Sequence, residues 1–156
     1  AAADGLEVPV VVTTPASRLK KLEPLPWFVK IISPPDKEYV EEYARAAVVV
    51  IPLNTSSGLN DAMGSSVLYE AMAMGKAVIV TKTHTMASYI KDGENGLLVP
   101  EKDPEALRVA LKKVLEDLQL RDYLGKNART FAEKHFDAVV LAGRLADFFK
   151  HLKTLG

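Results

Sequence analysis

Two runs of consecutive apolar residues, 48–51 (VVVI) and 77–80 (AVIV), flank a segment with helical spacing. This pattern constrains the fold more than any other feature of the chain. A strand that is apolar at every position has both faces covered, as in a parallel sheet with helices on each side. Parallel neighbours cannot be joined by a tight turn, so a crossover helix between them is expected.

The rest of the chain extends the alternation. Residues 8–13 (VPVVVT) are β-branched and read as a buried strand, with Pro9 near its start. Residues 17–26 are basic and broken by prolines, so they read as a connection. Residues 28–32 form a second strand, closed by Ser33, Pro34 and Pro35. Asp36 can cap a helix that carries Tyr39, Val40, Tyr43, Ala44 and Ala47 on one face. A helix over residues 65–74 is stopped by Gly75. After the strand 77–80, the spacing predicts a short helix over 86–91, a turn at 92–96 and a strand over 97–99.

The last third is helical. Asp103 with Pro104 is a strong start signal, and Ala106, Leu107, Ala110, Leu111, Val114, Leu115 and Leu118 make an apolar stripe. A second helix is expected over 121–134. Asp137 can cap a third, with Leu141, Leu145, Phe148, Leu152 and Leu155 at helical spacing, a stripe that reads as core. The fold class is α/β: a Rossmann-like, three-layer α/β/α arrangement with a mostly parallel sheet and a helical C-terminal third. Its 156 residues suit a single domain, with no internal repeat and no second boundary.

Composition narrows the function classes. Lys plus Arg and Asp plus Glu are 20 each, so net charge argues for neither nucleic acid nor an acidic membrane, and no nucleic-acid partner is expected. There is no cysteine, which removes thiolate metal sites, disulfides and cysteine nucleophiles. No apolar run approaches the roughly 20 residues of a membrane span. The N-terminus lacks the basic and apolar regions of a signal peptide, and a cytoplasmic location is the expectation.

Ligands of open parallel α/β sheets bind outside the carboxyl ends of the strands. The strand exit after Pro52 is the longest of three and the richest in small polar residues. Gly64 there permits a close backbone approach or positive φ, and Ser65 and Ser66 open a helix whose first N–H groups lack internal partners. Those groups and the helix dipole attract phosphate. Glu70 lies about a turn further in and projects from the flank of the face formed by Val67, Leu68, Ala71 and Met72. A carboxylate there can accept two hydrogen bonds from a ribose diol. The plain alternative is an ordinary helix start with a surface glutamate, and local chemistry alone leaves both readings open.

The run from Gly64 through Glu70 and Gly75 to Val80 (GSSVLYEAMAMGKAVIV) resembles the donor-site motif of retaining glycosyltransferases of family 4, the glycosyl transferases group 1. The run from Tyr89 to Pro100 (YIKDGENGLLVP) is similar to that family's turn and strand, and Asp103-Pro104-Glu105-Ala106-Leu107 to its next helix start. The similarity covers about residues 8–149. It implies half of a GT-B fold, in which the helix-start backbone at Gly64, Ser65 and Ser66 meets the donor diphosphate and Glu70 binds the ribose. Backbone at Ile32 and Ser33 would hold the base. The implied donor is a nucleotide-diphosphate sugar, and the implied reaction moves the sugar to an acceptor hydroxyl with retention. No catalytic residue, cofactor or metal site is assigned.

Two departures from the family pattern stand out. A glutamate eight residues before the ribose-binding one contacts the donor sugar in that family, whereas this chain has Ala62, with Asp61 adjacent as a substitute. The Arg and Lys that neutralise the diphosphate sit early in the family's domain, and this chain is expected to lack them, along with the first strand and helix and the N-terminal acceptor domain. The single domain, residues 1–156, is then a donor-binding half, inactive alone, with any membrane contact made through the acceptor half. Its C-terminal helix, which reaches the acceptor domain in the family, would promote self-association when uncovered.

Other candidates carry less. His84 and Lys82 sit in a strand exit, where solvated side chains are the default. Ser65 and Ser66 lack the Gly-x-Ser-x-Gly elbow of a nucleophile. A noncatalytic nucleotide-binding module, or one subunit of a split transferase, is the alternative that Ala62 favours. A sugar-nucleotide epimerase of the same fold would need a catalytic acid and histidine set that this sequence does not present.

Overall fold

The computed structural model describes residues 8–13, 29–32, 36–55 and 62–154. Among the described residues, five strands and six helices follow in chain order: β1 (Val10–Thr13), β2 (Val29–Ile32), α1 (Asp36–Arg45), β3 (Val48–Ile51), α2 (Ser65–Ala73), β4 (Ala77–Thr81), α3 (His84–Tyr89), β5 (Leu97–Val99), α4 (Pro104–Glu116), α5 (Leu118–His135) and α6 (Ala138–Thr154). All strand pairs are parallel, as the apolar runs predict. They form one sheet of order β1-β2 and a second of order β3-β4-β5.

β4 is the middle strand of the second sheet, and all five of its residues are buried. Successive side chains point to opposite faces, and the core divides accordingly. Val78 and Val80 join Ile51, Leu68, Ala71, Met72 and Met86 on one face. Ala77 and Ile79 join Leu97, Val99, Ala110, Val114 and Leu124 on the other. Each fully buried side chain of this size contributes about 1.5–3 kcal/mol. The result is the three-layer α/β/α arrangement expected from the sequence. Among the described residues β3 pairs on one edge only, and of its four residues only Ile51 is buried.

Several boundaries move for identifiable reasons. α3 begins at His84 rather than 86, because the Thr83 side chain accepts from the Met86 N–H and caps it. α5 begins at Leu118 rather than 121, because Asp117 accepts from the Leu120 N–H. That turn removes Leu118 from the stripe of α4 and leaves it 58 % exposed. Asp103 and Asp137 cap α4 and α6 as expected, through Ala106 and Val139.

Parts of two helix faces are exposed. On α1, Val40 is exposed, while Tyr43 of the same face packs against the core. On α6, Leu141, Leu145 and Phe148 are all about half exposed, because only part of that helix meets α5. Among the described residues no helix is long and apolar enough to cross a membrane.

Candidate functional site

The carboxyl end of the second sheet is assembled by side chains bonding backbone from different strand exits. Thr81, the last residue of β4, accepts from the Leu53 N–H at 2.9 Å. Thr55 donates twice to Glu101, from its N–H to Oε1 at 2.7 Å and from its hydroxyl to Oε2 at 2.8 Å. These bonds hold the exits of β3 and β5 against each other. A cavity of about 290 Å³ opens beside them, lined by Ile51, Leu53, Thr81, Val99, Lys102 and Leu107 among others.

α2 starts at the same end of the sheet. Gly64 has φ 84° and ψ −1°, the left-handed conformation that glycine adopts most readily. Its hydrogen side faces the end of β3, which lets the helix start pack directly on Ile51. The Ser65 hydroxyl folds back to donate to the Ala62 carbonyl at 2.6 Å, so it does not cap the helix. The first intrahelical bond closes from the Leu68 N–H to the Gly64 carbonyl at 2.9 Å. The N–H groups of Ser66 and Val67 carry no hydrogen bond among the described residues. They are the unpaired donors expected at a helix start.

The other end and flank of α2 are firmly held. Gly75 (φ 65°) ends the helix in a Schellman turn, with its N–H donating to Met72 and that of Lys76 to Ala71. Tyr69 packs edge-on against Tyr89 at 5.4 Å between ring centroids, and tilted by 42° against Phe136 at 4.2 Å. Burial raises the Tyr69 phenol above the ordinary tyrosine value, reinforced by its hydrogen bond to Tyr89 and that ring's charge. A hydrogen bond with Ser65 acts in the opposite direction.

Leu68, Ala71 and Met72 are buried, and Glu70 is exposed on the flank, as the spacing predicts. Ser66 and Glu70 are four residues apart, so they share one exposed face about 6 Å apart along the axis. Glu70 is not loose, however. The Tyr43 hydroxyl on α1 donates to its Oε2 at 2.8 Å, across 27 residues of sequence. Sequence reasoning placed Tyr43 on an apolar face and missed this bond.

The structure therefore brings Gly64, Ser65, Ser66 and Glu70 together on one helix start. Ile32 ends β2, in the other sheet. Ser33 and Asp61 lie outside the described residues. Lys82 and His84 are exposed at the exit of β4. Among the described residues no cluster of three His, Cys, Asp or Glu could hold a metal ion.

A larger cavity, about 970 Å³, lies at the opposite, amino end of the strands. Its cations are largely committed to protein groups. Lys76 donates to the Ala44 carbonyl at the end of α1, and Arg129 donates to the Ala73 carbonyl at the end of α2. Arg45 and Arg129 also pair with glutamates of their own helices. Cations at helix carboxyl ends are an expected complement to the dipole.

The chain is similar to known proteins over most of its length. The family described as Glycosyl transferases group 1 matches residues 28–131. The chain is 35 % identical over 130 residues to a D-inositol 3-phosphate glycosyltransferase of Corynebacterium jeikeium, covering 82 % of this chain and 29 % of that protein. It is 33 % identical over 73 residues to an uncharacterized glycosyltransferase of Methanocaldococcus jannaschii, covering 47 % of this chain and 19 % of that one. It thus spans less than a third of the length of these curated relatives. Among solved structures, HepE from Anabaena in complex with UDP-glucose superimposes with a TM-score of 0.79 at 20 % identity, over 96 % of this chain and 43 % of that one. Sucrose-phosphate synthase from Thermosynechococcus elongatus gives 0.71 at 25 % identity, over 94 % and 38 %.

Proposed function

The chain belongs to the glycosyl transferases group 1 family, and we propose that it is the half that holds a nucleotide-diphosphate sugar while the sugar passes to an acceptor hydroxyl. The observation that carries the proposal is the shared exposed face of Ser66 and Glu70 at the unpaired start of α2. The N–H groups of Ser66 and Val67, unpaired among the described residues, meet the diphosphate. They stabilise the charge that grows on it as the sugar departs, and the helix dipole adds to the effect. Glu70 accepts from the ribose hydroxyls one turn further along. Gly64, whose bare side rests on Ile51, meets the diphosphate through its backbone alone, and Asp61, with Ile32 and Ser33, completes the contacts to sugar and base.

On this reading, acceptor binding belongs to residues outside the 156, and the isolated chain transfers no sugar. The exposed face of α6 then covers apolar surface of the acceptor half, or self-associates in its absence. Sedimentation at rising protein concentration checks the latter.

The test is titration calorimetry of UDP, GDP and ADP and their sugars. Binding that Glu70→Ala weakens at least tenfold supports the ribose role. Nucleotide-sugar binding indifferent to Glu70→Ala would count against it.

A second reading rests on Ala62, which stands where the resemblance expects a glutamate and whose carbonyl holds Ser65. In it the chain binds nucleotide without supporting chemistry, as a module or as one subunit of a split enzyme. Transfer restored by mixing with a separately expressed acceptor half distinguishes the split enzyme from the module.

A further inference from the structure

We infer that Tyr43 is a positioning residue for ribose recognition: it holds the Glu70 carboxylate in the orientation that accepts a diol. The inference rests on the donor-site reading of Glu70. Glutamate on an exposed helix face samples many rotamers, and a carboxylate that must take two hydroxyls together binds well only from one of them. The Tyr43 hydroxyl donates to Oε2 at 2.8 Å. Its ring packs against the apolar core that also holds Leu68 and Met72. The donor is therefore anchored, whereas the acceptor sits on the surface.

The anchor is tied to α2 at a second point. Lys76, just beyond the Schellman turn, donates to the carbonyl of Ala44, the residue after Tyr43, at 2.9 Å. The carboxyl end of α1 is thus held relative to both ends of the segment from Glu70 to Lys76. A carboxylate offers about four lone-pair sites. Tyr43 occupies one, which leaves enough for both hydroxyls of a ribose. A phenol hydroxyl donates without bringing charge to the carboxylate. Tyr43 touches no ligand in this scheme and acts only through Glu70.

The experiment compares the affinity of each nucleoside diphosphate (UDP, GDP, ADP) with that of its 2′,3′-dideoxy counterpart, by calorimetry on the 156-residue chain. The ratio of the two affinities measures ribose recognition. Inorganic pyrophosphate serves as the control for the helix start. Tyr43→Phe keeps the ring and its packing. We expect it to lower the ratio by about three- to tenfold, part of the way to the value for Glu70→Ala, with pyrophosphate affinity unchanged. The double variant should match Glu70→Ala alone.

A ratio unchanged in Tyr43→Phe but collapsed in Glu70→Ala overturns the role of Tyr43 and leaves the donor site standing. A ratio unchanged in Glu70→Ala, or no binding of any nucleotide, overturns the donor-site reading and this inference with it. Equal losses for pyrophosphate and nucleotides in Tyr43→Phe show a merely structural contact and also overturn the inference.

Discussion

A β-carbon placed on Gly64 would lie 2.7 Å from Cγ2 of Ile51, the last residue of β3. The start of α2 thus rests directly on the end of the strand, at a residue whose positive φ already favours glycine. Gly64→Ala meets both penalties, about 1–2 kcal/mol for the conformation and about 1–3 kcal/mol for overpacking. Denaturant unfolding should show a loss of about 2–5 kcal/mol. Combined with Ile51→Ala, which removes the clashing methyl, the two losses should add to less than their sum. Strict additivity would mean that the contact does not limit this site.

Ser66 separates stability from binding. It is exposed at the second position of α2, where its N–H has no partner among the described residues. Ser66→Asp places a negative charge against the positive end of the helix dipole and should stabilise the fold by about 0.3–1 kcal/mol. The same charge repels a diphosphate and should weaken its binding at least about fivefold. Both changes should shrink in high salt. A variant that is more stable and binds a nucleoside diphosphate unchanged would place the diphosphate elsewhere.

Asn95 is buried and uses both ends of its amide. Its Oδ1 accepts from the Lys91 N–H at 2.8 Å, and its Nδ2 donates to the Tyr89 carbonyl at 3.1 Å. Asn95→Ala leaves both backbone groups unpaired under the turn that leads into β5. The expected cost is about 2–3 kcal/mol, with amide exchange at Lys91 accelerated. Thermal unfolding together with hydrogen exchange checks both parts.

Alkaline pH should destabilise the protein through Tyr69. Its phenol is raised in the fold, chiefly by burial, so the folded state holds the proton more tightly than the unfolded chain. The stability contribution is complete below the unfolded value near 10 and is lost as pH rises through the folded value. Urea unfolding between pH 8 and 11 should show this decline, and Tyr69→Phe should flatten it. An equally steep decline in Tyr69→Phe would assign the effect to other groups.

Much of the local architecture was legible in the chain. The apolar run 77–80 could only be a strand covered on both faces, and β4 is that strand. Asp103 with Pro104, and Gly75 after Met74, act through one or two neighbouring backbone groups, so composition at a fixed offset suffices to read them. The face of α6 was legible only in part, for the opposite reason. Its spacing is that of a core stripe, but spacing does not say which partner covers it, and among the described residues its Leu141, Leu145 and Phe148 remain exposed.

The candidate site divides along the same line. By itself the sequence determined that residues 64–70 form a helix start with small residues at its tip and a carboxylate on its flank, because these properties depend on neighbours within one turn. Only the tertiary structure decided what faces that carboxylate. Tyr43 reaches Glu70 across 27 residues, and Thr55 reaches Glu101 across 46. Such contacts depend on how β3, β4 and β5 align side by side and on where they set the helices and exit loops. That alignment arises from packing of the whole core, so no local pattern of residues records it.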